Sequence, residues 1–168
     1  MANALTALSA LAAKHYGLVT HSQAMAVGVT RSQLARLVKS KTWERVRPRV
    51  FRKAAKTQTE EQELVAICLW LGEGTLVSHR SAARLLGLNV ERGLPEVTTS
   101  RLSARKAAGL ICHRSDDDLK DDRKLQSKIP VTNGARTLID LASRLDEEQL
   151  AIVVEEAWRL KVPGETKN

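Results

Sequence analysis

Residues 27–52 read VGVTRSQLARLVKSKTWERVRPRVFR and hold eight Arg or Lys against a single acid, Glu44. Cations crowded in this way, with acids nearly absent, can neutralise the phosphates of a polyanion, whereas an ordinary solvated face mixes both signs. The asymmetry extends beyond the segment. Residues 1–58 carry 11 Lys or Arg and one acid, a balance of +10; residues 59–168 carry 16 and 18, a balance of −2. Nucleic acid is the expected partner of the first part.

Other residues with chemical potential are less well arranged. The run SDDDLKDD places five Asp within residues 116–122 but lacks the Gly and closing Glu of a calcium loop, and reads as a solvated loop. His79 and His113 each neighbour an Arg, and no Ser, Cys or carboxylate stands at a spacing that implies a triad. His15 and His21 flank the first turn and read as surface residues. Cys68 and Cys112 have no CxxC partner, so reduced thiols are expected rather than a disulfide or a zinc site. There is no phosphate loop and no dinucleotide fingerprint. No catalytic residue, metal or cofactor is expected. No apolar run reaches the roughly 20 residues needed to span a bilayer, and MANALTALSALAAKHYG lacks the basic start of a secretory leader. A cytoplasmic protein without a membrane partner is expected.

The elements that would position the cations follow from periodicity. Leu5, Leu8, Leu11 and Ala12 recur at helical steps, and Gly17 suits the end of that helix. Thr20 or Ser22 caps a short helix ending at Gly28, and Thr30 caps a second, RSQLARLVKS. Leu34, Leu37 and Val38 form its buried stripe; Ser32, Gln33, Arg36 and Lys39 occupy the opposite face, with Arg31 at the N-terminal end. This is the arrangement of a helix-turn-helix, with the small Ala24 allowing close approach of the two helices. KTWERVRPRVF then reads as two short strands around Pro48, with Arg45 and Arg47 on one face, Arg49 in the turn and Arg52 closing the second strand. The whole predicts a winged helix that reads base edges through Arg31, Ser32, Gln33 and Arg36. Lys39, Arg45, Arg47, Arg49 and Arg52 would hold phosphates.

Beyond a polar joint, KTQTE, Thr59 to Gln62 form a capping-box pattern opening a helix with Leu64, Ile67, Cys68 and Leu71. LVSHRSAARLLGL predicts a helix from about Ser78; PEVTTS, GLICHRS and KIPVT read as strands, with the basic turn RLSARKAA between the first two. Asn133 caps a helix whose stripe is Ala135, Leu138, Ile139 and Ala142. Asp146 caps a longer one with Leu150, Val153, Val154, Ala157 and Trp158 as its apolar face. The expected fold class is α+β: an N-terminal winged helix-turn-helix followed by a small α/β domain with helices flanking a short sheet. The expected domains are residues 1–56, 57–163 and a loose tail at 164–168.

Three blocks, KHYGLVTHSQAMAVGVTRSQLARLVKSKTWERVRPRVF, LVSHRSAARLLGL and IPVTNGARTLIDLAS, make the chain resemble the AbiEi-type antitoxin and regulator family. The resemblance implies a winged helix followed by an α/β domain, and repression of the protein's own operon. It also implies pairing with a nucleotidyltransferase-like toxin in a type IV toxin–antitoxin system. Arg31, Ser32, Gln33 and Arg36 map onto the family's recognition helix, and Arg45, Arg47 and Arg49 onto its wing. Two departures stand out. Relatives tend to carry Gly in the wing turn where this chain has Arg49, and the chain stops where some relatives continue into a Vsr-type nuclease domain.

These features together predict a sequence-specific regulator that binds double-stranded DNA and is not an enzyme. Two rivals remain open: an antitoxin acting mainly by binding its toxin, and the DNA-targeting remnant of a nuclease-fused relative. Helix-turn-helix proteins often dimerise, but no heptad seam is visible, and the operator and oligomeric state are left open.

Overall fold

In the computed structural model, which describes residues 2–54, 58–99, 108–116 and 118–162, helix α1 (Ala2–Ala13) buries Leu8 and Ala12. Leu5 stays exposed, so the apolar stripe is narrower than its periodicity predicts. The joint at 55–57, most of the basic turn at 101–108, Asp117 and the tail at 164–168 lie outside the described residues. After Gly17 (φ +81°) the chain forms β1 (Leu18–Thr20), a strand the sequence did not announce. Three residues are too few for alternation to register, and Leu18 and Val19 are both fully buried.

Helices α2 (His21–Ala26) and α3 (Arg31–Lys39) follow, then β2 (Trp43–Arg47) and β3 (Val50–Lys53). The three strands make an antiparallel sheet in the order β1-β3-β2. Leu8, Ala12, Val19, Ala24, Val29, Leu34 and Trp43 form the core beneath it.

Helix α4 (Glu60–Leu71) packs on the same sheet, and the chain divides into compact units at 1–73 and 74–168 rather than at 56/57. Side-chain bonds account for the difference. Thr59 accepts from the Gln62 N–H as a cap should, but the Gln62 carboxamide does not close the expected capping box. Instead it donates to the Tyr16 carbonyl at 2.7 Å and accepts from Arg52 at 2.8 Å. With α4 included, the first unit holds 11 cations and five acids, +6, and the second 16 and 14, +2.

The second unit comprises β4 (Leu76–Val77), α5 (His79–Leu85), β5 (Glu96–Thr99), β6 (Ile111–Arg114), β7 (Arg123–Gln126), β8 (Ile129–Thr132), α6 (Gly134–Ala142) and α7 (Glu147–Arg159). Its mixed sheet runs β6-β5-β4-β8-β7. The β5/β6 and β4/β8 pairs are parallel and the other two antiparallel. Asn133 and Asp146 cap α6 and α7 as expected.

The buried faces of these helices differ from the expected stripes. On α6 the buried side chains are Thr137, Asp140 and Leu141, while Ala135 and Ala142 are exposed and Ile139 is 68% exposed. The polar pair goes inside because it is bonded: Thr137 shares a hydroxyl hydrogen bond of 2.8 Å with Thr132, and Asp140 accepts from Arg136 at 2.9 Å. On α7, Val153 and Ala157 are buried, but Trp158 stands 71% exposed rather than on the core face.

Candidate nucleic-acid interface

Thr20 and Thr30 each close a full capping box, one at the start of α2 and one at the start of α3. Between the helices Gly28 sits at φ +85°, where an L side chain would be strained, and the Val29 N–H returns to the Ala24 carbonyl at 3.1 Å. Ala24 and Leu34, both buried, join α2 and α3 to the core. This turn presents the outer face of α3 to solvent. Arg31, Ser32, Arg36 and Lys39 are exposed, Leu34 is buried, and Leu37 and Val38 are half-buried.

Gln33 differs from the other expected readers. Its Oε1 accepts the Thr30 N–H at 2.8 Å as the return half of the capping box. A two-bond contact to adenine needs both the oxygen and the amide nitrogen, so Gln33 cannot make it without opening the cap. The Ser32 hydroxyl lies 3.1 Å from that of Thr30 and is drawn toward the same cap. Arg31 and Arg36 are exposed, and neither side chain is engaged in the cap.

In the wing, β2 and β3 pair as Trp43↔Lys53, Glu44↔Arg52 and Arg45↔Phe51, and the register then slips so that Arg47 faces Val50. Opposed residues share a face, so this bulge moves Arg47 onto the side of Glu44 and Arg52 and away from Arg45. Arg45 and Arg47 therefore do not share a face, contrary to the simple alternation of the sequence. Arg45 is exposed. Arg47 is half-buried, 3.5 Å from Glu63 of α4, with its guanidinium 5.8 Å from the centre of the Trp70 ring.

Arg52 is a second correction. It is only 8% exposed and is bonded to Glu44 at 2.6 Å and to Gln62 at 2.8 Å, so it pins the wing to α4 instead of standing in solvent as the sequence predicts. The wing turn itself is exposed. Arg49 takes φ +62°, the region glycine occupies without strain, and its carbonyl accepts the His21 N–H at 2.8 Å, tying the turn to the start of α2. Lys41, missing from the expected set although it lies within the basic segment, stands exposed in the turn between α3 and β2.

The charges of this unit thus sort by direction. Glu44 and Glu63 sit against the inward-turned Arg52 and Arg47. Among the described residues no carboxylate pairs with Arg31, Arg36, Lys39, Arg45 or Arg49. The outward set lies on α3 and the wing. The second unit holds a separate cluster of buried His79 and Glu96 with half-buried His113. The three residues come from three different elements, so no spacing along the chain signals the cluster.

Fold and site define an α+β protein with an N-terminal winged helix-turn-helix and a small sheet-and-helix unit after it. Residues 7–52, which span α1 to the wing, match the family described as transcriptional regulator, AbiEi antitoxin, in agreement with the sequence resemblance. The SHRSAA and ARTLIDLA blocks of the second unit lie outside the matched segment. No curated protein matches the chain. Among the described residues no helix is long and apolar enough to cross a membrane.

Proposed function

We propose that the protein is a non-catalytic, sequence-specific transcriptional regulator that binds double-stranded DNA and represses its own operon. The observation that carries this reading is the outward set of cations on α3 and the wing, without a carboxylate partner among the described residues, beside a fold segment matched to a regulator family. In it α3 enters a major groove about 12 Å wide, where Arg31 and Arg36 contact base edges. Lys39, Lys41, Arg45 and Arg49 hold phosphates. Arg47 and Arg52 support the wing from behind.

Fluorescence anisotropy on DNA from upstream of the protein's own gene, beside a scrambled duplex of equal composition and over 50–300 mM salt, tests the proposal. Preference for the native duplex should survive rising salt, and Arg36→Ala should reduce it by about 1–3 kcal/mol. Equal and steeply salt-dependent binding of both duplexes would mean that the cations grip phosphates only.

A second reading, an antitoxin that acts by binding a toxin, is favoured by Ile152 and Trp158, which α7 leaves largely exposed. Large apolar side chains in the open are common in protein–protein contacts. Co-purification with a nucleotidyltransferase-like protein encoded beside this gene, abolished by Trp158→Glu, would support it. Loss of operator binding in the same variant would count against a separate surface.

A further inference from the structure

A Thr-x-x-Gln motif heads each of α2, α3 and α4: Thr20 with Gln23, Thr30 with Gln33, Thr59 with Gln62. In each case the threonine hydroxyl accepts the glutamine N–H at 3.2 Å. On α2 and α3 the glutamine Oε1 answers by accepting the threonine N–H at 2.8 Å, which closes the box. On α4 Gln62 does not make that return bond.

Its carboxamide spans two other elements instead. Nε2 donates to the Tyr16 carbonyl at 2.7 Å, in the turn between α1 and β1, and Oε1 accepts from Arg52 of β3 at 2.8 Å. Arg52 passes the connection on to Glu44, its partner across the β2/β3 pair, at 2.8 Å. A capping box stabilises its own helix and orders nothing distant. Gln62 forgoes that local bond, and its two longer-range bonds join α4 to the α1 turn and to the root of the wing.

The next residue holds the other stem of the hairpin. Glu63 lies 3.5 Å from Arg47, whose guanidinium stands over Trp70, seven residues further along α4. Arg47 and Arg52 flank the wing turn, and the bulge between Arg45 and Arg47 brings Arg47 to the α4 side. The outer strand β2 pairs with β3 alone. Two paired strands have little stability of their own, so the direction of the wing depends on what packs behind it. Arg45, on the opposite face of β2, and Arg49, in the turn, are exposed.

We infer that Gln62 is a positioning residue for the wing: by tying α4 to the Tyr16 carbonyl and to Arg52, it fixes the direction in which Arg45 and Arg49 meet phosphates. This rests on the DNA-binding reading proposed above. Gln62 is uncharged and lies behind the wing, so direct contact would give it no part in affinity. The working DNA-binding unit accordingly includes α4 and does not end at the joint before it.

The test uses the full chain and the native and scrambled duplexes described above, with each variant shown to be folded by circular dichroism. Gln62→Met nearly keeps length and volume and changes no charge, but makes neither hydrogen bond. It should weaken binding of both duplexes alike, by about tenfold at the low-salt end, and lower the salt slope by about one to two as Arg45 and Arg49 lose their phosphates. The ratio of the two affinities, set by α3, should be unchanged. In an Arg45→Ala/Arg49→Ala background the same substitution should have no further effect on affinity or slope, a non-additivity that a general loss of stability would not reproduce. If Gln62→Met does not fold, Gln62→Asn, too short to reach both partners at once, takes its place.

A parent salt slope retained in the folded Gln62 variant, a loss confined to the native duplex, or an equal loss in the Arg45/Arg49 background would overturn the positioning role and leave the DNA-binding reading intact. Failure of the parent chain to bind either duplex would instead overturn that reading, and this role with it.

Discussion

Around the helix-turn-helix the buried side chains are aliphatic, with Trp43 among them, whereas around the second sheet they include Ser78, His79, Ser81, Glu96, Thr98, Thr132, Thr137 and Asp140. Among the described residues of the first unit the buried ionisable groups are Arg52 and the Cys68 thiol, and the rest stand at or near its surface. The second unit encloses ionisable groups and bonds them to one another. An apolar core fixes a surface array by shape alone. A polar interior is costly to assemble and holds particular atoms at particular distances, which a ligand can use.

This contrast can be broken or sharpened by substitution. Leu34→Ala removes a buried side chain that joins α3 to the core and should cost about 2–5 kcal/mol, read as a fall in the urea midpoint followed by the fluorescence of buried Trp43. A cost under about 1 kcal/mol would show that α3 is not held by its apolar face.

Arg52→Ala should come next, at about 1–3 kcal/mol, because it leaves Glu44 and Gln62 without their buried partner. Arg45→Ala, on the other face of the same wing, should change stability by less than about 0.5 kcal/mol. It should instead lower the salt slope of DNA binding by about one. Exchange of these two phenotypes would reverse the inward and outward assignments.

Arg49→Gly should have a smaller effect, with less than about 1 kcal/mol of stabilisation, since relief of the positive φ is offset by the greater freedom of glycine when unfolded. The same change should weaken DNA binding by removing a cation from the wing turn. The smallest effect concerns the thiols. Burial pushes Cys68 up to about 12, so at pH 8 it stays protonated and should resist a thiol reagent in the native state. Cys112, half-buried and raised less, should react first. Rapid labelling of Cys68 would mean that α4 opens readily.

Much of the first unit was legible because its signals are local. Thr20, Thr30, Gly28, Leu34 and Pro48 each act within a few residues, and they define caps, a turn and a hairpin without reference to anything distant. Most of the outward cations were legible for the same reason: α3 is amphipathic, and a helix face is a property of its own sequence. The second unit was read less well. Its strands at PEVTTS, GLICHRS and KIPVT were visible, but β4 and β7 were not, and the stripes of α6 and α7 were misjudged at Ile139 and Trp158. Apolar periodicity points to the buried face only when the interior is apolar, and here Thr137 and Asp140 occupy it with bonded partners.

By itself the sequence determined the α+β class, the capped helix-turn-helix, the basic character of α3 and the wing, and the positions of most elements. These depend on spacing along the chain, over which backbone geometry repeats. Tertiary structure alone decided which arginines face outward, because one bulge between Arg45 and Arg47 reverses a strand's alternation and α4 supplies the acid and amide that turn Arg47 and Arg52 inward. It alone brought His79, Glu96 and His113 together. Sheet pairing makes neighbours of residues far apart in sequence, and no periodicity along the chain encodes which strands will pair.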